Sequence, residues 1–158
     1  MLTLWRIAKT RYARSSFDGE GARLYGGRWN SVGVRVAYAS QSIALASLEV
    51  MVGLQKTGLL ASYSLVSVQV EDAGVERLSS VALPANWRSH PPGADSQAIG
   101  DRWVAEQRSL ALEVPSAIIE AEANYLLNPA HPDFGSIAVS VLTTFAFDER
   151  LLAALRKS

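Results

Sequence analysis

LYGGRWNSVGVRVAYASQSIALASLE, residues 24 to 49, is the stretch whose reading decides the fold. A Gly-Gly-Arg-Trp-Asn cluster passes through a glycine turn into a short apolar run, Val34 to Ala39, which reads as a strand. Ser40 is a plausible N-cap for a nearly all-apolar helix running to about Leu54, with Gly53 or Gly58 as its stop. That helix carries a single carboxylate, Glu49. Loop, strand and helix thus deliver a rigid cation, an aromatic ring and a lone acid, the makings of a site for an anionic, ring-bearing ligand.

On either side the chain alternates short strands and helices. Leu2 to Ile7 alternates apolar and polar residues as a strand does. Residues 8 to 34 hold Gly19, Gly21, Gly26, Gly27 and Gly33 and read as one long ordered loop, a feature more often functional than idle. Tyr63 to Val70 is a strand with Val66, Val68 and Val70 on one face. Pro84 to Arg88 reads as a turn of helix, and Pro91, Pro92 and Gly93 as a surface break. Ser96 to about Leu112 reads as a helix with Ile99, Trp103, Gln107 and Leu110 on one face. Ala117 to Glu120 is expected as a short strand, Asn124 to Asp133 as a turn-rich segment and Ile137 to Leu142 as a strand. Asp148 caps a last helix, ERLLAALRK. The pattern predicts an α+β fold in a single domain over residues 1 to 158.

Composition bounds the function. The 158 residues, 49% of them hydrophobic, suffice for one real core. Net charge is zero, which argues against steering toward nucleic acid or anionic membrane. The charge is uneven, because the chain through Val36 carries +5 and the remainder −5. A basic N-terminal quarter fits an anion site, and equally fits solvated arginines balanced by acids nearby in space. The chain has no cysteine, so disulfides and thiolate chemistry are excluded. Its start, MLTLWRIAKTR, lacks the order of a signal peptide, and no apolar run reaches the roughly 18 residues needed to span a bilayer. A cytoplasmic protein is expected.

Glu49 has no basic neighbour one turn away on its helix, only Leu45, Ala46, Val52 and Gly53. An unpaired carboxylate on an apolar face costs several kcal/mol to bury, so Glu49 must meet a cation, a set of donors or a wet cleft. A structural ion pair satisfies that need as well as a functional site does. Arg28 offers a planar fork suited to phosphate, after two glycines that let a ligand approach the backbone. The alternatives are that Arg28 caps a carbonyl or pairs with Glu49, and that Trp29 is core. Tyr38 ends the strand next to the helix N-terminus, where anions are favoured and a ring can stack on a flat ligand, or simply pack.

GGRWN, VAYAS, ALASLE, VPS at 114 to 116 and NYLLNPAHPDF at 124 to 134 together resemble the RES domain family. The resemblance runs from LWRI at 4 to 7 to the strand after Ser136 and is weakest over residues 71 to 100. Known members are toxins of the RES–Xre type of toxin–antitoxin system that deplete cellular NAD, with a fold like the catalytic domain of ADP-ribosylating toxins. The resemblance implies Arg28, Tyr38 and Glu49 as the catalytic core, and Arg6 and Ser116 as ligand-binding residues. Asn124 matches a frequent asparagine and joins that binding set. It implies NAD+ as substrate rather than cofactor, with water or inorganic phosphate as acceptor of ADP-ribose. Glu49 would stabilise an oxocarbenium-like ribose, Arg28 and Arg6 would hold the pyrophosphate, and Tyr38 would stack on the nicotinamide. Ser116 would hydrogen-bond the ribose or the amide. The partner implied is an Xre-like helix-turn-helix antitoxin that blocks the active site.

Other readings are weaker. His90 and His131, each beside proline, do not make a metal site without carboxylates, and none is expected. GEGARLYGG is not the Gly-x-Gly-x-x-Gly turn of a dinucleotide fold. RIAKTRYARS mixes basic and aromatic residues, but no nucleic-acid motif accompanies it. The rivals to NAD+ hydrolysis or phosphorolysis are a mono-ADP-ribosyltransferase acting on protein, a non-catalytic nucleotide- or protein-binding module, and a ribonuclease-like toxin. Ser47, two residues before Glu49, stands where many transferases carry a second acid or Gln.

Overall fold

A computed structural model describes residues 1 to 54 and 58 to 157. One seven-stranded sheet organises them: β1 (Leu2–Lys9), β2 (Ala37–Ser40), β3 (Tyr63–Val70), β4 (Val75–Arg77), β5 (Ala111–Pro115), β6 (Ala123–Leu127) and β7 (Val139–Phe145). Their order across the sheet is β4-β5-β6-β2-β1-β3-β7, and the pairs are antiparallel except β4 with β5. The helices are α1 (Glu20–Tyr25), α2 (Ile43–Met51), α3 (Ala94–Glu106) and α4 (Glu149–Arg156). The α+β class is as the sequence indicates.

Alternation across the strands sorts the core onto the two faces. Leu4, Ala37, Ala39, Val66, Val68, Val70, Tyr125 and Leu127 look to one side, where Phe17 packs over them. Leu112, Val114 and Leu126 look to the other and bury Trp103 of α3 with Trp29, Trp87 and Val36. On that second side α2 lies over Ile7 and Leu65 through Ala46. The side chains of Tyr38, Ser40 and Asn124 share this helix-covered face by register, since Tyr38 pairs with Leu126 and Ser40 with Asn124.

Several boundaries differ from expectation. Residues 8 to 34 are not one loop. A 3₁₀ turn spans Thr10–Ser15, and α1 is bracketed by Gly19 and Gly26, whose φ angles of 76° and 71° few other residues adopt. The β2 strand begins at Ala37 rather than Val34, and α2 is capped by Ser42, whose hydroxyl accepts from the Leu45 N–H at 3.1 Å. Ser40 stays in the strand. The α2 helix stops at Met51, short of Leu54, and Gly58 forms a separate turn. The α3 helix ends at Glu106 because Gln107 turns left-handed, φ 50°, with no glycine to announce it. Leu112 therefore lies in β5. Ala117 to Glu120 forms bends rather than a strand, and the expected turn at Asn124 opens instead with β6. Tyr125, Leu126 and Leu127 are all buried, as in a central strand covered on both faces, which erases the two-residue period.

Candidate active site

Strands β1 and β2 pair at one register position, Trp5 opposite Ser40. Beside this junction lies a cavity of about 540 Å³, within the range of small-molecule sites. Arg6, Arg28, Tyr38, Glu49 and Asn124 line it. Five of the six residues singled out from the sequence thus converge. Ser116 is the exception: it is fully buried and not part of the lining.

Glu49 is held from beneath. Its Oε1 accepts from Ser116 Oγ at 2.9 Å and from Asn124 Nδ2 at 2.5 Å. Ser116 in turn accepts the backbone N–H groups of Ile118 and Ile119, both at 3.1 Å, so its hydroxyl is fully committed. The reading of Ser116 as a direct contact to ligand is corrected accordingly: it positions Glu49. Asn124 Oδ1 accepts from Ser40 Oγ at 2.7 Å, which fixes the amide with its N–H₂ toward the carboxylate. Oε2 of Glu49 accepts no hydrogen bond among the described residues. One oxygen is anchored and the other is available.

Arg28 is also held, though not by Glu49. Its Nη1 donates to the carbonyls of Trp87 at 2.7 Å and Ser89 at 2.8 Å. Partial burial lowers its pKa, while the charge of Glu49 works the other way. Of the alternatives open in the sequence, carbonyl capping is the one observed. Arg6 points by alternation to the opposite face of the sheet and lies over the Phe17 ring, 5.8 Å from its centroid. Its Nη1 reaches the Tyr38 carbonyl at 2.8 Å. Burial lowers the Arg6 pKa, with Asp18 opposing.

Tyr38 donates its hydroxyl to Asn30 Oδ1 at 2.7 Å and accepts the Trp29 N–H at 3.1 Å. Burial raises its pKa above the usual tyrosine value. A phenol engaged in both directions and kept neutral offers its ring face, not a proton. Asn30, wholly buried, donates to the carbonyls of Ala22, Ser31 and Val34. Trp29, 2% exposed, stacks on Trp87 at 6.2 Å and is core. Gly27 is needed for a different reason than expected: a Cβ there would meet the Tyr38 hydroxyl at 2.7 Å. The glycine admits the tyrosine rather than a ligand.

The segment least legible in the sequence, residues 71 to 100, and Asp101 just after it supply much of this support. Gln97 of α3 donates to the Gly27 carbonyl at 3.0 Å, and Asp101 takes the Ser31 N–H at 2.9 Å and hydroxyl at 2.5 Å. Gly100 is where α3 meets the loop, since a Cβ there would lie 1.7 Å from the Trp29 carbonyl oxygen. None of these contacts has a local sequence signal. No cluster of three or more metal-ligating side chains occurs among the described residues, and His131 accepts the Asp133 N–H within its own turn.

An anchored carboxylate with a free oxygen, two arginines and a tyrosine ring thus line one cavity where β1 and β2 part, in a protein of α+β class. The RES domain model matches residues 3–149, and the chain belongs to that family, whose fold is ADP-ribosyltransferase-like. It is 40% identical over 151 residues to the "Toxin Res" of Yersinia enterocolitica, covering 95% of this chain and 99% of that one. It is 39% identical over 155 residues to a "Prs ADP-ribosylating toxin" of Sphingobium, covering 95% and 96%. A chain of the M. tuberculosis MbcT–MbcA toxin–antitoxin complex shares the fold, with a TM-score of 0.71 at 22% identity over 99% of this chain and 90% of that one.

Proposed function

We propose that this chain is the toxin of a toxin–antitoxin pair and that it consumes NAD+ by breaking the nicotinamide–ribosyl bond. The observation that carries the reading is the Glu49 carboxylate, anchored through Oε1 and open through Oε2 on a cavity that also presents Arg28, Arg6 and Tyr38. The bond's electron pair leaves with the ring nitrogen, turning a pyridinium into a neutral base, so no general acid is required. The ribose left behind develops oxocarbenium character, which an adjacent fixed carboxylate stabilises. Arg28 and Arg6 hold the pyrophosphate, and Tyr38 gives the nicotinamide a face to stack on. Water or inorganic phosphate captures the ribosyl cation. NAD+ is substrate throughout, and no cofactor enters.

The second reading, transfer of ADP-ribose to a protein, is favoured by the name of the Sphingobium relative. Against it, Ser47 is not part of the cavity lining, and its hydroxyl sits 3.9 Å from Met51 Sδ. No second polar group therefore stands beside Glu49 on its helix to receive a protein acceptor. The toxin–antitoxin complex among the solved relatives supports an antitoxin partner, for which we propose an Xre-type helix-turn-helix protein that fills the cleft in the cytoplasm. Among the described residues no helix is long and apolar enough to cross a membrane.

The test is nicotinamide release from NAD+ by purified, partner-free protein, followed by chromatography with and without phosphate. Free ADP-ribose identifies hydrolysis, a phosphorylated ADP-ribose identifies phosphorolysis, and label on protein identifies transfer. Binding without release supports a non-catalytic module, and RNA cleavage with NAD+ intact a ribonuclease. A co-purified pair turning over as fast as the free chain would end the blocking role of the partner.

A further inference from the structure

The cavity lining includes residues that the bond-breaking chemistry leaves unused. Gly21, Ala22, Tyr25 and Gly26, from α1 and the turn after it, are among them, on elements other than the α2 and β6 that carry Glu49 and Asn124. Tyr25 is 84% exposed, and among the described residues neither its ring nor its hydroxyl has a partner. Its backbone is nonetheless fixed. The Gly26 N–H closes α1 on the Ala22 carbonyl at 2.8 Å, and the Gly33 N–H ties the Arg23 carbonyl at 2.8 Å. The ring stands on a rigid base, over a cavity, facing nothing.

Gly21 lies one turn before Tyr25 and so shares its face of the helix. Glycine inside a helix is a poorer choice than alanine unless something requires it. Nothing among the described residues does. Gly21 is not among the glycines of positive φ, and a Cβ added to it would meet no atom within 4 Å. The missing side chain leaves a flat, open strip of backbone beside the tyrosine ring, within the same cavity. Gly26 and Gly27 continue that strip toward Arg28.

We propose that Tyr25 and Gly21 form the seat of a second flat ring, the adenine of NAD+, stacked on Tyr25 and flush against α1 at Gly21. The assignment rests on the NAD+ reading above and extends it to the far half of the dinucleotide. A planar, uncharged base asks for a π face and a surface without protruding atoms, and the two residues supply one each. The nearest acid in sequence, Glu20, is held by Arg23 and Arg35.

The test compares wild type with Tyr25→Ala, Tyr25→Phe and Gly21→Leu, reading kcat and KM for NAD+. The inhibition constant of nicotinamide mononucleotide, which lacks the adenylate half, is read as a competitor. Tyr25→Ala removes the ring and Gly21→Leu fills the strip, neither in a packed position. Stacking on an aromatic side chain sets the scale: both variants are expected to raise KM about tenfold or more with kcat unchanged. Tyr25→Phe should behave as wild type, and the mononucleotide constant should stay the same in all four proteins. An unchanged KM in both variants would overturn the assignment, as would an equal loss for the mononucleotide, which would mark a general disturbance. Those results leave nicotinamide release by wild type intact; a wild type that releases none ends the NAD+ reading, and this seat with it.

Discussion

Replacing Ser116 by alanine tests what holds the Glu49 carboxylate in place. The hydroxyl is fully buried, donates to Glu49 Oε1 at 2.9 Å, and accepts the N–H groups of Ile118 and Ile119 at 3.1 Å each. Removing it leaves the Ile118 and Ile119 N–H groups without their acceptor, in a turn where Ile119 is 37% exposed and water reaches part of the gap, at about 1–3 kcal/mol in all. The expected loss of stability is about 2 kcal/mol, short of unfolding a typical domain. Glu49 keeps its charge and its bond from Asn124, so it loses orientation only, and kcat for nicotinamide release is expected to fall on the order of 10–10²-fold. Asn124→Ala is the counterpart. It removes the other donor to Glu49 and leaves the buried Ser40 hydroxyl without its acceptor, so it should cost about 1–3 kcal/mol with a similar fall in kcat. Urea denaturation gives the stabilities and chromatographic nicotinamide release gives the rates. Activity should follow the loss of donors to Glu49, and stability should follow the partners left unpaired, the Ile118 and Ile119 N–H groups in one variant and the Ser40 hydroxyl in the other. A Ser116→Ala protein that is destabilised yet keeps wild-type kcat would refute the positioning role.

Tyr38→Phe keeps the ring but strands the buried Asn30 Oδ1 and the Trp29 N–H, so it should lose about 1–3 kcal/mol in urea denaturation while KM for NAD+ changes little. Gly100→Ala puts a methyl 1.7 Å from the Trp29 carbonyl oxygen and should cost more than about 3 kcal/mol, read as a lowered melting temperature and a loose GGRWN loop. Glu20 is held down to about 2 by hydrogen bonds from Arg23, with Arg35 adding its charge. A depressed carboxylate stabilises the fold above its unfolded pKa, so this contribution should be present at pH 5 and fade as pH falls from about 4.3 toward 2. Glu20→Gln should flatten that part of the acid-denaturation profile, and a profile identical to wild type would count against the pairing.

The sequence was most informative where local chemistry and position coincide. Arg28, Tyr38, Glu49, Arg6 and Asn124 line one cavity because a glycine-rich turn, a strand and a capped helix follow one another directly in the chain, and the family motifs name the rest. Strand β3 and the cap at Asp148 were equally plain, since alternation and a side-chain acceptor are local properties. What could not be read is what arrives from far along the chain. The carbonyls of Trp87 and Ser89 that hold Arg28 are backbone groups without a residue signature. Ser116 was marked by its motif, but only its burial shows that it serves Glu49 rather than a ligand. Strands β5 and β6 have no local signal, because β6 is buried on both faces and has no period, and because α3 ends in a left-handed glutamine rather than a glycine.

The most direct test is the rate of nicotinamide release from NAD+ by Glu49→Gln beside wild type. The amide is nearly isosteric, and its oxygen can still accept from Ser116 and Asn124, so the substitution removes charge with little else. A carboxylate facing an oxocarbenium-like ribose should make kcat fall on the order of 10²–10³-fold, with the melting temperature close to wild type. Equal rates from the two proteins would contradict the account and leave Glu49 a structural acid.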